Sequence, residues 1–145
     1  MAETTRKGLN ASQYQSVILT LRLFEERLRQ ADAWLAEALP EGVLYRYTRH
    51  LPSERVAEIR AEIAAALRAI ADLAQHLEAQ PADEPIEAAA SAFMSVSWAD
   101  LSDVKTPRLA RYGAVDNALE DWLDPRLDAL AEHALRLAAL FGAET

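Results

Sequence analysis

The residues best suited to binding or catalysis are the cations and aromatic side chains of two short segments, residues 45–50 and 105–112. Neither segment contains an acidic residue. Arginines and aromatic rings stack on bases and pair with phosphates or with a partner's carboxylates. They can also close the end of a helical bundle, where cations bond the last carbonyls of a helix. We favour this closure over a binding role. The candidate binding pole comprises Tyr45, Arg46, Tyr47, Arg49, His50, Lys105, Arg108, Arg111 and Tyr112.

A second candidate site consists of Arg126 and His133, which are separated by six residues. This spacing resembles the Arg-x4-6-His element of HEPN-type helical bundles. That group includes RNA-cleaving members and partners of minimal nucleotidyltransferases, so the resemblance implies catalytic roles for both residues. The polar residue that usually follows the arginine is replaced by Leu127. The alternative interpretation is that Arg126 neutralises its acidic neighbours, Asp124 and Asp128.

Metal, cofactor and nucleophile motifs are absent from the sequence. None of the histidines His50, His76 and His133 follows a glutamate by three residues, as a ferritin-like two-metal site requires. The chain has no cysteine, which removes thiolate ligands and thiol nucleophiles. It also has no Gly-rich phosphate loop and no Gly-x-Ser-x-Gly turn. We therefore expect no metal and no cofactor, and we favour a protein that is not an enzyme.

Helices must position these residues, because apolar side chains recur at alternating steps of three and four. The first helix is predicted over about residues 11–39. It begins at a capping box of Asn10 and Gln13 and stops before Pro40 and Gly42.

The second helix keeps a seven-residue apolar repeat from Val56 to Leu77. Ser53 is its predicted N-cap, Glu54 lies in its first turn, and Pro81 follows its end. The third helix follows Pro85 and fades after Asp103. Its predicted apolar row is Ile86, Ala90, Phe93, Ser97 and Leu101.

The sequence after the third helix predicts one short helical turn and a fourth helix. The turn begins at Thr106 and is closed by Gly113. The fourth helix ends at Gly142, and Pro125 either restarts it or kinks it, because proline donates no backbone hydrogen bond.

These elements predict an all-α fold, an antiparallel up-down-up-down four-helix bundle with a kinked or broken final helix. Residues 1–9 are expected to form a flexible N-terminal tail, and residues 10–145 a single helical-bundle domain. In such a bundle the first and third connections lie at the same end, which would unite the candidate binding pole.

Three tryptophans lie at the margins of their apolar rows, where large aromatic residues are typical of core edges and of subunit interfaces. Together with the alanine-rich second helix they favour a homodimer or another protein partner, and a monomeric state is the alternative. The candidate interface residues are Trp34, Trp98 and Trp122.

The formal net charge is −8, which disfavours a whole-molecule attraction to nucleic acid or to an anionic membrane. No apolar run approaches the length of a membrane span, and no signal-peptide pattern is visible, so we expect a cytoplasmic location. The predicted function is a non-enzymatic interaction protein, either an adaptor or a regulatory subunit. The alternatives are nucleic-acid or nucleotide binding through the pole, and a HEPN-like bundle.

Overall fold

The computed structural model describes residues 7–36 and 38–143. Within these residues the regular structure is helical without any β-strand, so the all-α prediction is confirmed. The chain divides into two compact units, Met1–Pro81 and Ala82–Thr145. Of the predicted N-terminal tail, residues 1–6 lie outside the described residues.

The first unit is a hairpin of two helices, α1 (Ala11–Trp34) and α2 (Ser53–His76). The helices run antiparallel, and the ion pair between Arg60 Nε and Asp32 Oδ1, at 3.0 Å, ties the end of α1 to the first half of α2. Ile63 and Leu77 are the buried apolar side chains of this unit among the described residues.

The start of α1 agrees with the sequence, whereas its end does not. The predicted capping box is present: the Gln13 backbone N–H donates to Asn10 Oδ1 at 2.9 Å, and the Asn10 backbone N–H donates to Gln13 Oε1 at 3.0 Å. The helix ends at Trp34 rather than near residue 39. The physical reason is Arg49, whose guanidinium binds the carbonyl of Trp34, the last helical residue, and that of Ala36 just beyond it.

The start of α2 also differs from the prediction. Ser53 is the first helical residue, Pro52 occupies the N-cap position, and no side-chain hydrogen bond caps the helix. Proline supplies the extended backbone that an N-cap needs, and this displaces Ser53 into the first turn. Glu54 lies in the first turn, as predicted.

The second unit contains α3 (Ile86–Ser102), the short α4 (Thr106–Leu109), a 3₁₀ turn (Ala110–Tyr112) and α5 (Leu119–Gly142). Helices α3 and α5 pack closely and antiparallel, so that Ser91 Oγ donates to the Ala138 carbonyl at 2.9 Å. Ala131 and Ala134 are buried on α5, and small side chains at these positions permit the close approach.

The connection between α3 and α5 is fixed by one carboxylate. Thr106 is buried, and its backbone N–H and hydroxyl donate to Asp124 Oδ1 at 2.9 and 2.8 Å. Asp124 thereby caps the start of α4 from a distant position in the sequence, a role that the side chain of the N-cap residue itself normally has. The predicted short turn from Thr106 to Gly113 is confirmed, and Gly113 has a φ of 150°, which favours glycine.

Of the two alternatives predicted for Pro125, the restart of the last helix is wrong, because α5 runs through this residue without interruption. The kink stays a prediction. Proline removes one backbone hydrogen bond from the helix interior. Contacts on both sides of Pro125 hold the helix in place: Asp124 bonds α4, and the buried Ala131 and Ala134 follow six and nine residues later.

Candidate functional site

The segment between α1 and α2 contains the first half of the candidate binding pole. It forms a tight turn in which the Gly42 backbone N–H donates to the Tyr45 carbonyl at 3.0 Å. Val43 and Leu44 occupy the tip of this turn and are 100% and 95% exposed. The ring centroid of Tyr47 lies 5.4 Å from that of Tyr45 and 5.7 Å from that of Trp34. We call Trp34, Tyr45 and Tyr47 the aromatic cluster.

The arginines of this segment are engaged within the chain. Arg46 Nη2 lies 3.3 Å from Glu41 Oε1. Arg49 Nη1 donates to the carbonyls of Trp34 and Ala36 at 2.9 and 2.6 Å. A cation at this position satisfies carbonyls that a helix end leaves unpaired and offsets the negative end of the helix dipole. Arg49 therefore closes the end of α1.

A shallow cleft of about 370 Å³ lies beside Arg49. Apolar and aromatic side chains form most of its wall, and His50 is an exposed polar residue at its edge. Arg49 also lines the cleft, but two of its N–H groups donate to the carbonyls of Trp34 and Ala36. The apolar lining includes Trp34, Leu35, Leu39, Tyr47 and Leu51.

The second half of the candidate pole follows α3. Lys105 Nζ lies 2.8 Å from Asp128 Oδ1, and Arg108 Nη2 lies 3.8 Å from Asp103 Oδ1. The hydrogen bond and then the charge of Asp128 raise the pKa of Lys105 above its ordinary value. Arg111 and Tyr112 are exposed at the end of the 3₁₀ turn.

The two halves of the pole belong to different compact units, and their union into one surface stays a prediction. Within each half, most cations are balanced by acids or carbonyls of the same unit. Sequence reasoning missed Asp128 as the partner of Lys105, because 23 positions separate the two residues and no periodicity links them. Arg108 and Asp103 are close in sequence, and that proximity was the available signal.

Arg126 and His133 are both exposed on α5. Seven positions correspond to about 10 Å along a helix, and both residues lie on the same side. Arg126 Nη1 donates to the Trp122 carbonyl at 2.7 Å. Within the described residues the neighbouring acids bind other groups, since Asp124 accepts hydrogen bonds from Thr106 and Asp128 pairs with Lys105.

Helix α3 contains a surface that sequence reasoning did not select. No charged residue occurs between Ala88 and Ala99. The hydroxyls of Ser95 and Ser97 donate to backbone carbonyls four residues earlier, so these serines present little polar surface. Phe93 is 69% exposed, although the sequence places it in the buried row. An α-helix that is apolar on every side normally has neighbours on more than one side.

Several exposed apolar side chains of the second unit fall on one side of the α3–α5 hairpin, while Val96, Trp98 and Leu135 lie elsewhere on its surface. Phe93 directly precedes the half-buried Met94, and Leu130 directly precedes the buried Ala131. One residue is a rotation of about 100° around a helix. Phe93 and Leu130 are therefore each turned by this angle from a residue that faces the other helix. Because the two helices are antiparallel, both turns lead to the same side of the hairpin. We call this surface the apolar face, and it consists of Ile86, Phe93, Leu130 and Leu137.

The apolar face corrects the buried row predicted for α3. Ala90, Ser97 and Leu101 are half-buried, as that row requires, but Ile86 and Phe93 are exposed. The physical reason is that α3 meets α5 through small side chains around Ala90 and Ser91, which turns the larger residues of the row outward. The three candidate interface residues, Trp34, Trp98 and Trp122, are each about half exposed.

Within the described residues, no group of three or more His, Cys, Asp or Glu side chains is placed to hold a metal ion. No described helix is both long enough and apolar enough to cross a membrane. Comparison of the chain with protein-family models, with curated proteins and with solved structures finds no match to any of them.

Proposed function

We propose that this protein acts by association with another polypeptide, as a non-enzymatic helical interaction protein such as an adaptor or a regulatory subunit. The apolar face is the observation that carries this proposal. Its side chains are 40% to 74% exposed, and the α3 segment from Ala88 to Ala99 has no charge to hydrate it. Contiguous exposed apolar patches of this kind mark interaction sites on soluble proteins.

The energetic argument rests on burial. Full burial of a Leu, Ile or Phe side chain is worth about 1.5–3 kcal/mol. Four such residues supply the apolar centre around which polar rims form in protein interfaces. A helical partner would give the most stable complex, because a helical row of Leu, Phe and Ile side chains interdigitates with a second such row.

The antiparallel four-helix bundle belongs to this proposal. The α3–α5 hairpin has the composition of half a bundle: the apolar face is on one side, and the opposite side contains Ser95, Asp128 and Glu132 besides the exposed Leu135. A second hairpin on the apolar face would complete four helices around one core. The bundle is thus the arrangement that we propose for the associated state.

Sedimentation velocity of Phe93→Glu, at 1–100 μM protein, tests the proposal. The unaltered chain should sediment above its 16.0 kDa monomer mass or bind a purified partner, and Phe93→Glu should abolish that association. The matched control is Ser95→Glu, which adds the same charge to α3 on the side away from the apolar face. A monomer whose partner binding is unaffected by Phe93→Glu would contradict the proposal.

The binding-pole alternative has less support, because Arg46, Arg49, Lys105 and Arg108 have partners within the chain. Nucleic-acid binding would have to rely on the remaining exposed residues of the pole, which are Tyr45, Tyr47, His50, Arg111 and Tyr112. Retardation of RNA at low salt, lost in Arg111→Glu, would favour it. The HEPN-like alternative depends on Arg126 and His133, and RNA cleavage that His133→Ala removes would favour it.

A further inference from the structure

We propose that the partner on the apolar face is a second copy of this chain, packed so that α3 of each copy lies along α5 of the other. This inference rests on the association proposed above and adds the identity and orientation of the partner. The observation behind the identity and orientation of the partner is the charge at the two long edges of the face.

One edge of the face is acidic and the other is basic. Asp100 follows Phe93 by seven residues on α3, and it lies at the outer edge of that helix. Arg126 and His133 occupy the outer edge of α5, beside Leu130 and Leu137. All three charged or titratable side chains are exposed, and no ion pair joins Asp100 or Arg126 to another described residue. Arg126 Nη1 donates to the Trp122 carbonyl, so the contact with a second copy would use the other nitrogens of its guanidinium.

The hydrogen bonds across the hairpin give the register of the two helices. Ser91 is level with Ala138, and Thr106 is level with Asp124. Interpolation between these points places Asp100 level with the segment between Arg126 and His133. The acid and the bases therefore lie at one height along the hairpin, on opposite edges.

A two-fold axis parallel to the helices preserves this height and exchanges the edges. Each Asp100 then faces Arg126 and His133 of the second copy, and the contact occurs twice in the dimer. In this packing α3 and α5 of different copies run antiparallel, as in an antiparallel bundle. A two-fold axis perpendicular to the helices would instead bring the two basic edges together. The charges therefore select the parallel axis.

The size of the face suits a dimer. Helix α3 has 17 residues, which gives a length of about 25 Å. Two packed helices are about 20 Å wide, so each copy offers roughly 500 Å² in projection. The total of about 1,000 Å² reaches the lower bound for a specific interface.

Charge reversal tests the arrangement in the full chain, with the dissociation constant of the dimer as the readout. Asp100→Arg alone should raise this constant about tenfold, because two ion pairs become repulsive. Arg126→Asp combined with His133→Asp should do the same. The combination of all three changes should restore dimerisation to within about threefold of the unaltered protein. Glu132→Arg, on the opposite side of α5, is the matched control and should change little.

Disulfide trapping gives an independent readout, because the natural chain has no cysteine. Asp100→Cys combined with His133→Cys should yield a covalent dimer under mild oxidation. Within one copy these positions lie on opposite edges of the hairpin, too far apart for a disulfide. Each single variant should remain largely monomeric on a denaturing gel.

The outcomes separate this inference from the proposed function. A chain that stays monomeric at 100 μM, yet binds another protein in a manner that Phe93→Glu abolishes, would overturn the second copy and leave the association intact. A dimer that Phe93→Glu abolishes, without charge-swap rescue or trapping, would overturn the orientation. A dimer that Phe93→Glu leaves unchanged would overturn both.

Discussion

The segment from Glu41 to His50 and the apolar face of the α3–α5 hairpin differ in how far their side chains are satisfied within the chain. The segment is rich in reactive residue types, but Arg46 pairs with Glu41 and Arg49 binds two carbonyls. The apolar face is composed of chemically inert residues, and its large side chains remain in water.

This difference shows that chemical reactivity and binding capacity are separate properties. A cation loses most of its capacity to bind a ligand once a helix end or a carboxylate occupies its N–H groups. An exposed phenylalanine keeps its full capacity to bind until another apolar surface covers it. Residues without conspicuous chemistry can therefore form the better candidate interface.

The largest expected effect comes from the covered side of the same hairpin. Ala134 is buried between α3 and α5, so Ala134→Asp would place a carboxylate in a position shielded from water. We expect a loss of more than about 3 kcal/mol in the free energy of unfolding, measured with urea. Ala129→Asp, at an exposed position of α5, is the control. Equal urea midpoints for the two variants would contradict the placement of the contact.

The link between α4 and α5 ranks next. Asp124→Ala would leave the backbone N–H and hydroxyl of the buried Thr106 unpaired. We expect a loss of about 2 kcal/mol in unfolding free energy, because both hydrogen bonds end on an ionised carboxylate. Asp124→Asn, which keeps an acceptor, should recover part of the loss. Stability unchanged in Asp124→Ala would show that Asp124 does not cap α4.

Arg49→Met sharpens the distinction between closing a helix and binding a ligand. Removal of the guanidinium should cost about 1–2 kcal/mol in unfolding free energy, since the Trp34 and Ala36 carbonyls lose a charged donor. Arg46→Met, which breaks an exposed ion pair, should cost less than about 0.5 kcal/mol. The reverse order would indicate that Arg49 serves another purpose than closure.

The smallest expected effect concerns the pH dependence of the Lys105–Asp128 pair. Asp128 raises the pKa of Lys105, so the pair stabilises the fold below the ordinary lysine value of 10.5 and ceases to do so as pH rises through the raised pKa. The difference in unfolding free energy between the natural chain and Asp128→Asn should therefore be equal at pH 6 and pH 9. It should shrink above pH 10.5. A difference that already falls between pH 6 and pH 9 would contradict this pairing.

Local signals in the sequence predicted the helices well. The capping box of Asn10 and Gln13 works through residues three positions apart, and such contacts are visible in a sequence. The end of α1 was misplaced because its carbonyls are bound by Arg49, which lies 13 to 15 positions later. Pro125 was overestimated as a break, since packing of α5 on α3 outweighs one lost hydrogen bond.

The candidate site was harder to predict, because it depends on which side of each helix becomes covered. Residue types alone identified the arginines, but not the distant carboxylates and carbonyls that engage them. On α3, apolar spacing is compatible with more than one buried row, and the contact of Ser91 with Ala138 decides between them. Only a tertiary contact could show that Phe93 faces outward.

The turn that carries Val43 and Leu44 has a practical consequence. These two side chains contribute almost no packing, and the turn is anchored behind them by the aromatic cluster. Exposed loop tips accept inserted sequence more readily than packed elements do. An epitope or a fluorogenic peptide grafted between Val43 and Leu44 should therefore label the chain without unfolding the first unit and without altering the sequence of the α3–α5 hairpin.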